Sequence, residues 1–347
     1  MTHVQIHDKP SAEQPTQTTT HPGTLPSSPS SRSTANGAAP TPTGDPFAGR
    51  HVLSMAQYER DDLERLFAAA DEAEASPAQG LRRRTLAGRL LISAFFERST
   101  RTRLAHESAM LRLGGAIAGF AEPSITRAGG ATGESAEDIA RMISLYGDIA
   151  VVRHPVTGWP QRAAQASRGA LFINGGDGVG EHPTQAMVDL YTLRRRFGGL
   201  DGLRLLLVND LGMRCVRSLL LGLSGYDCKV YAVGAGTSAP RIPGAPEVIP
   251  CDSVADILPD VDALYSSPTV TEHPDGRRPG RDELRGVTVD RRLLEARANE
   301  HLTVLHPLPR GPEVATDLDE TRFNGYWAQA ANGIPVRMAL LSLMLAR

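Results

Sequence analysis

Phe95-Phe96-Glu97-Arg98-Ser99-Thr100-Arg101-Thr102-Arg103 decides how this chain is read, because an apolar run enters a hydroxyl-rich turn that opens an amphipathic helix. Residues 90–95 form a short continuous apolar run, the pattern of a strand covered on both faces, and 100–112 carries helical periodicity. A strand passing directly into a helix is the unit of a parallel sheet with helical crossovers. The turn itself is suited to an anion. Helix N-terminal N–H groups point outward, Ser99, Thr100 and Thr102 add hydroxyls, and Arg101 adds a guanidinium fork. The same residues would equally make an ordinary Ser/Thr helix cap followed by solvated arginines.

The pattern repeats outward from this stretch. Apolar runs at 149–152, 171–173, 203–208, 229–233, 263–265 and 302–305 read as further strands. Periodic segments at 59–75, 134–146, 214–224, 253–258 and 289–298 read as helices. Met187, Leu190, Tyr191 and Phe197 recur at helical spacing over 183–197, which predicts a long helix bridging two halves. A last helix over 335–346 would return to the first half. The fold class expected is α/β, with two domains, each a mostly parallel sheet flanked by helices. The expected boundaries are a tail at 1–46, a first domain at 47–182 joined by the terminal helix 335–347, and a second domain at 183–334.

The 347 residues hold 37 Lys and Arg against 39 Asp and Glu, a net charge of −2, so no general field attracts nucleic acid or an acidic membrane. Anion recognition must come from local arginine clusters. Of the first 46 residues, 23 are Pro, Ser or Thr. Such a stretch buries too little apolar area to offset its ordering entropy, and it reads as a disordered tail. Cys215, Cys228 and Cys251 form no CxxC pair and read as three buried thiols in a reducing cytosol. No run reaches the roughly eighteen apolar residues of a membrane span, and no signal peptide is recognisable. A cytoplasmic protein is expected. The dinucleotide fingerprint, the P-loop and metal-ligand spacings are missing, so the expectation is no metal and no cofactor.

Four further segments carry chemistry. Arg153-His154-Pro155 follows the strand 149–152, which places Arg153 at a strand's C-terminal end, where ligands of open α/β sheets bind. His182-Pro183-Thr184-Gln185 starts the bridging helix after a Gly-rich loop and sets an imidazole and a carboxamide near one N-terminus. Met213-Arg214 opens another helix after 203–208. His306-Pro307-Leu308-Pro309-Arg310 fixes backbone carbonyls with two prolines, which suits recognition of a small amide. Each also has a plain structural reading, as a solvated loop, a cap or a rigid turn.

In this order, these segments resemble the aspartate/ornithine carbamoyltransferase family and, within it, the aspartate branch. The resemblance covers about 51–347 and includes His51-Val52-Leu53-Ser54, Leu113-Gly114-Gly115, Ala315-Thr316-Asp317 and Gln329-Ala330-Ala331-Asn332-Gly333-Ile334. It implies a homotrimer with active sites between subunits, binding carbamoyl phosphate and an amino-acid acceptor. Ser99, Thr100, Arg101 and Thr102 would hold phosphate, and Arg153 would bridge phosphate and carbonyl. Thr102, Arg153 and His182 would polarise the carbonyl oxygen. Gln185 and the carbonyls of Pro307 and Leu308 would hold the carbamoyl NH2, and Arg214 the acceptor's α-carboxylate.

Three departures from the family pattern concern the acceptor. Thr132 stands where the family carries a loop lysine, and Pro268 and Val270 stand at its arginine and glutamine for the far carboxylate of aspartate. Gly234 to Pro250 is Gly- and Pro-rich where the relatives have a helix. The expectation drawn is a carbamoyltransferase for an amine other than aspartate, such as 2,3-diaminopropionate in antibiotic biosynthesis, with Glu272 and Asp275 available to a second ammonium. Ordinary aspartate carbamoylation in pyrimidine synthesis and a catalytically silent scaffold are the alternatives.

Overall fold

The computed structural model describes residues 44–75, 84–121, 133–234, 239–269 and 286–346. The first half is a parallel four-stranded sheet of β1 (Leu90–Phe95), β2 (Ala116–Phe120), β3 (Ile149–His154) and β4 (Leu171–Asp177), in the order β2-β1-β3-β4. Its helices are α1 (Arg60–Ala75), α2 (Arg101–Arg112), α3 (Ala136–Tyr146) and α4 (Trp159–Ala166), and α5 (Pro183–Phe197) leads onward. The second half is a parallel five-stranded sheet of β5 (Arg204–Asn209), β6 (Lys229–Gly234), β7 (Val248–Pro250), β8 (Ala263–Ser266) and β9 (Thr303–Leu305), in the order β7-β6-β5-β8-β9. With it come α6 (Arg214–Gly222), α7 (Val254–Ile257), α8 (Arg291–Arg297) and α9 (Tyr326–Met344). The α/β class with two helix-flanked parallel sheets is the observed one.

The sheets are covered on both faces, which is why their strands read as unbroken apolar runs. Alternate residues serve different cores, as the two-residue period requires. Leu91, Phe95, Ile149 and Val151 of the first sheet share one core with Leu205, Leu207, Val230 and Tyr265 of the second, joined by residues of α1, α5, α6 and α9. Ile92, Ala94, Val152 and Phe172 face a separate core with α3 and α4. Leu206, Val208, Leu264 and Val304 face a third with residues of α7 and α8. Each large aliphatic side chain buried this way contributes roughly 1.5–3 kcal/mol. α9 packs against α1, α2 and α5.

Four elements differ from the sequence expectation. β2 and β7 are edge strands with little burial, so their short Ala/Gly- and Pro-containing runs carry no core signal. α4 was not expected. α9 starts at Tyr326, nine residues ahead of the expected start at Pro335, and Pro335 is accommodated inside the helix. Of the cysteines, Cys215 is buried while Cys228 and Cys251 are only partly so, which corrects the reading of three buried thiols. Asp45 already belongs to the folded unit, accepting from the N–H groups of Phe47 and Ala48 and pairing with Arg65.

Both sheets change direction where the chemistry-bearing turns emerge. β1 lies between β2 and β3, with Phe95 beside Arg153, and β5 lies between β6 and β8, with Val208 beside Ser266. Such switch points leave a crevice beyond the strands' C-terminal ends.

Candidate active site

A cavity of about 500 Å3 opens at those strand ends, lined by Glu97, Arg98, Ser99, Thr100, Arg101, Thr102, Arg153, His182, Gln185, Arg214, Pro268, Pro307 and Leu308 among others. All ten residues singled out in the sequence as site residues are in this lining. Ser99 to Thr102 come from the turn between β1 and α2, Arg153 from the end of β3, His182 and Gln185 from the start of α5, and Arg214 from the start of α6. Pro307 and Leu308 follow β9. Thr100 holds the cap position of α2 without a side-chain capping bond, so its hydroxyl is not engaged as a cap.

Glu97, to which the sequence reading gave no role, is the centre of the ionic structure. It accepts from Arg153 Nη2 at 2.8 Å and from both terminal nitrogens of Arg214 at 3.0 and 3.1 Å. Burial pushes the Glu97 carboxyl up, but the two guanidinium groups more than offset this and hold it below the usual range. The backbone comes close to these arginines at Gly176, where φ is +115° and a Cβ would lie 3.2 Å from the Arg214 guanidinium carbon, so glycine is required. Arg101 has no hydrogen bond or ion pair with any described residue, and burial lowers its pKa.

Thr102 Oγ1 and His182 Nε2 lie 3.2 Å apart, and His182 is anchored by its backbone N–H, which donates to Ser218 Oγ at 2.9 Å. Burial, then the charges of Arg153 and Arg214, hold the imidazole pKa well below the ordinary histidine range. The ring is therefore neutral at physiological pH, a hydrogen-bond donor that carries no charge of its own. Behind His306, Nδ1 accepts the Leu308 N–H at 2.8 Å and Nε2 meets Glu313 at 3.0 Å, which fixes the turn. Leu308 sits at φ +53°, a strained conformation for a non-glycine residue. Arg310, the last residue of that motif, pairs with Asp319 through two 2.6 Å bonds and serves the local structure.

Five buried or half-buried histidines dictate an acid response. His51, His106, His154, His182 and His306 all have pKa values lowered mainly by burial, to about 4 for His154. Below pH ~6.5 the unfolded chain binds protons that the folded chain does not, so stability falls with falling pH, by at most about 1.4 kcal/mol per unit for each histidine. Asp189, raised to about 6 by burial, works in the opposite direction between about pH 6 and 4. The histidines prevail. The urea midpoint should fall steadily from pH 7 to 5.5, and a flat or rising midpoint would contradict the assignment.

Comparison with known proteins fits this geometry. Residues 50–195 match the family model described as aspartate/ornithine carbamoyltransferase, carbamoyl-P binding domain, and 201–344 match its Asp/Orn binding domain. The aspartate carbamoyltransferase catalytic subunit of Thermofilum pendens is 41% identical over 318 residues, covering 87% of this chain and 97% of that protein. The Picrophilus torridus subunit of the same name is 37% identical over 305 residues, covering 85% and 97%. Aspartate transcarbamoylase from Trypanosoma cruzi superposes with a TM-score of 0.77 in complex with carbamoyl phosphate and 0.75 with carbamoyl phosphate and aspartate. In both comparisons identity is 28%, and coverage is 86% of this chain and 98% of that chain.

These relatives overturn the expectation of an acceptor other than aspartate and with it the assignment to antibiotic biosynthesis. The cavity gives the physical reason. Among the described residues of its lining Glu97 is the single carboxylate, and it is already held by two arginines, so the second ammonium of 2,3-diaminopropionate would meet Arg98, Arg101, Arg153 and Arg214 without a free counter-charge. Thr132, Val270, Glu272 and Asp275 lie outside the described residues, and Pro268 lines the cavity as one apolar wall. Two family models spanning both halves, and relatives matched almost end to end, place this chain in the aspartate/ornithine carbamoyltransferase family as a carbamoyl-transfer enzyme.

Proposed function

We propose that the protein is an aspartate carbamoyltransferase of pyrimidine synthesis, moving the carbamoyl group of carbamoyl phosphate to the amino group of aspartate. The observation that carries the reading is the charge of the cavity, four arginines against one carboxylate. That excess suits a phosphate dianion together with an acceptor bearing two carboxylates. The names of the relatives point to the same acceptor.

In this reading 47–182 binds the donor and 183–334 the acceptor. Ser99, Thr100, Arg101 and Thr102 hold the phosphate, and Arg153 reaches both phosphate and carbonyl. Arg214 holds the α-carboxylate. The unprotonated amine attacks the carbonyl carbon, and negative charge grows on the carbonyl oxygen. Thr102, Arg153 and neutral His182 donate to that oxygen, stabilisation that strengthens as the tetrahedral species forms. The C–O bond to phosphate then breaks, its electron pair leaves with the phosphate, and the phosphate takes the amine's proton. Holding both reactants in contact removes most of the entropic barrier.

We also propose a homotrimer. Leu104 and Leu111 on α2 are large apolar side chains left 54% and 48% exposed, and Leu104 lines a cavity together with Thr100, Arg101 and Thr102, so a second copy seated on α2 would border the site.

The test is phosphate release from carbamoyl phosphate with aspartate, ornithine and 2,3-diaminopropionate, with mass spectrometry of the products. N-carbamoylaspartate should dominate. Turnover of the diamino acid without turnover of aspartate would overturn the proposal.

A further inference from the structure

Asp189 of α5 is fully buried and four residues beyond Gln185 on the same helix face. Its Oδ1 accepts from Gln185 Nε2 and from Gln329 Nε2 of α9, each at 2.6 Å, and its Oδ2 accepts from the Tyr265 hydroxyl of β8 at 3.0 Å. Three elements of the fold thus converge on one carboxylate beneath the cavity floor. A carboxylate only accepts hydrogen bonds, so both carboxamides must turn their NH2 groups toward it and their oxygens away. The oxygen of Gln329 takes the backbone N–H of His306 at 2.8 Å, directly before the Pro307 and Leu308 carbonyls. The oxygen of Gln185 has no hydrogen bond to any described residue, and Gln185 lines the cavity.

We propose that Asp189 is a positioning residue that sets the hydrogen-bond polarity of the amide corner, so that Gln185, Pro307 and Leu308 present acceptors only and the site selects a donor bearing an NH2 group. The inference rests on the reading of this corner as the seat of the carbamoyl NH2. Three acceptors without a donor fit an NH2 group, leave unpaired oxygens against a methyl group, and repel an anionic oxygen. A site built to accept from an N–H group rejects an analogue lacking it far more strongly than an apolar pocket rejects a change of size. Without Asp189 the Gln185 carboxamide is free to rotate, whereas Gln329 still accepts the His306 N–H, and the corner loses its sense at Gln185. Keeping a buried carboxylate there is unfavourable for the fold: burial raises its pKa to about 6, with Arg337 the nearby opposing charge.

Calorimetric binding of carbamoyl phosphate, acetyl phosphate and inorganic phosphate to the full chain tests this. Asp189→Leu should reduce the preference for carbamoyl over acetyl phosphate by about tenfold or more, with the affinity for inorganic phosphate moving less than about threefold. Asp189→Asn keeps one oxygen for the two carboxamides and turns its amide toward Tyr265, whose hydroxyl can accept, so it should retain the preference within about threefold. An unchanged preference in Asp189→Leu, or equal weakening of all three ligands, would overturn the proposal. If Asp189→Leu does not melt cooperatively, Gln329→Leu decides, because it frees the His306 turn while leaving the phosphate turn alone; the same selective loss is expected, and an unchanged preference overturns the inference. A wild-type chain that binds carbamoyl phosphate no better than acetyl phosphate would refute the reading of the corner itself, which separates that failure from a failure of Asp189.

Discussion

Arg101→Ala should lower kcat/KM for carbamoyl phosphate by about a thousandfold and leave the melting temperature unchanged or slightly higher. The rate effect follows from position. Arg101 begins α2 at the turn that holds phosphate in the proposed reaction, where its fork adds charge-assisted bonds to the helix N-terminal N–H groups. As the C–O bond breaks, charge accumulates on the leaving phosphate, so the interaction is stronger in the transition state than with bound substrate. Removing one such donor elsewhere has an effect of about 10²–10³, and a full charge at a dianion belongs at the upper end, about 4 kcal/mol. The stability effect follows from isolation. Arg101 pairs with no described residue, and Arg153 is a like charge nearby, so alanine relieves repulsion in the empty protein. Arg101→Lys should recover part of the rate, since a point charge replaces the fork without its two-pronged geometry. A loss of less than about tenfold in kcat/KM, measured with aspartate saturating, would remove Arg101 from the phosphate site. A large fall in melting temperature would make it a structural residue.

The part of the cavity lined by the first sheet was legible because its residues sit in contiguous turns. Phe95 to Arg103 shows a strand ending and a helix beginning within nine positions, and the continuous apolar run located β1 at its observed bounds. Arg153 stood out at a strand's C-terminal end and His182 and Arg214 at helix starts, and all three line the cavity. Glu97 and Asp189 were not found. Glu97 lies inside the quoted stretch, but its meaning depends on Arg153 and Arg214, 56 and 117 residues away, and nothing local announces that pairing. Asp189 left a weak signal, an acidic residue within the apolar face of α5 and four positions after Gln185, which a search for charges on buried helix faces would have caught. The error about the acceptor has a similar origin. Pro268 and Val270 were matched to family positions by counting from Leu264-Tyr265, which leaves out the charge of the other side chains that line the cavity. The excess of arginine over carboxylate becomes visible only when those turns converge.

Glu97→Ala should then be the most disruptive single change in the cavity, lowering unfolding free energy by about 3 kcal/mol. The side chains of Arg153 and Arg214 are only 15% and 12% exposed, and Glu97 lies between them. Removing one member of a buried ion pair leaves an uncompensated charge, an effect of about 3–5 kcal/mol; the partial exposure of Glu97 places the expectation at the lower end. Here the two charges left behind also repel one another, since the Arg214 charge adds to burial in lowering the pKa of Arg153. Glu97→Gln should be milder because its oxygen still accepts a hydrogen bond. The sign of the pH effect is fixed by the depressed pKa: the contribution of Glu97 is complete above the unfolded value near 4.3 and is lost as pH falls through the lower folded value. The wild-type minus Glu97→Ala difference in urea-derived stability should therefore be constant from pH 8 to 5. Inorganic phosphate offers a sharper check, because an anion in the cavity replaces part of the missing charge. Phosphate should raise the melting temperature of Glu97→Ala more than that of the wild type. Equal shifts, or a stability loss below about 1 kcal/mol, would show that Arg153 and Arg214 are neutralised by solvent and that Glu97 does not hold the two halves of the site together.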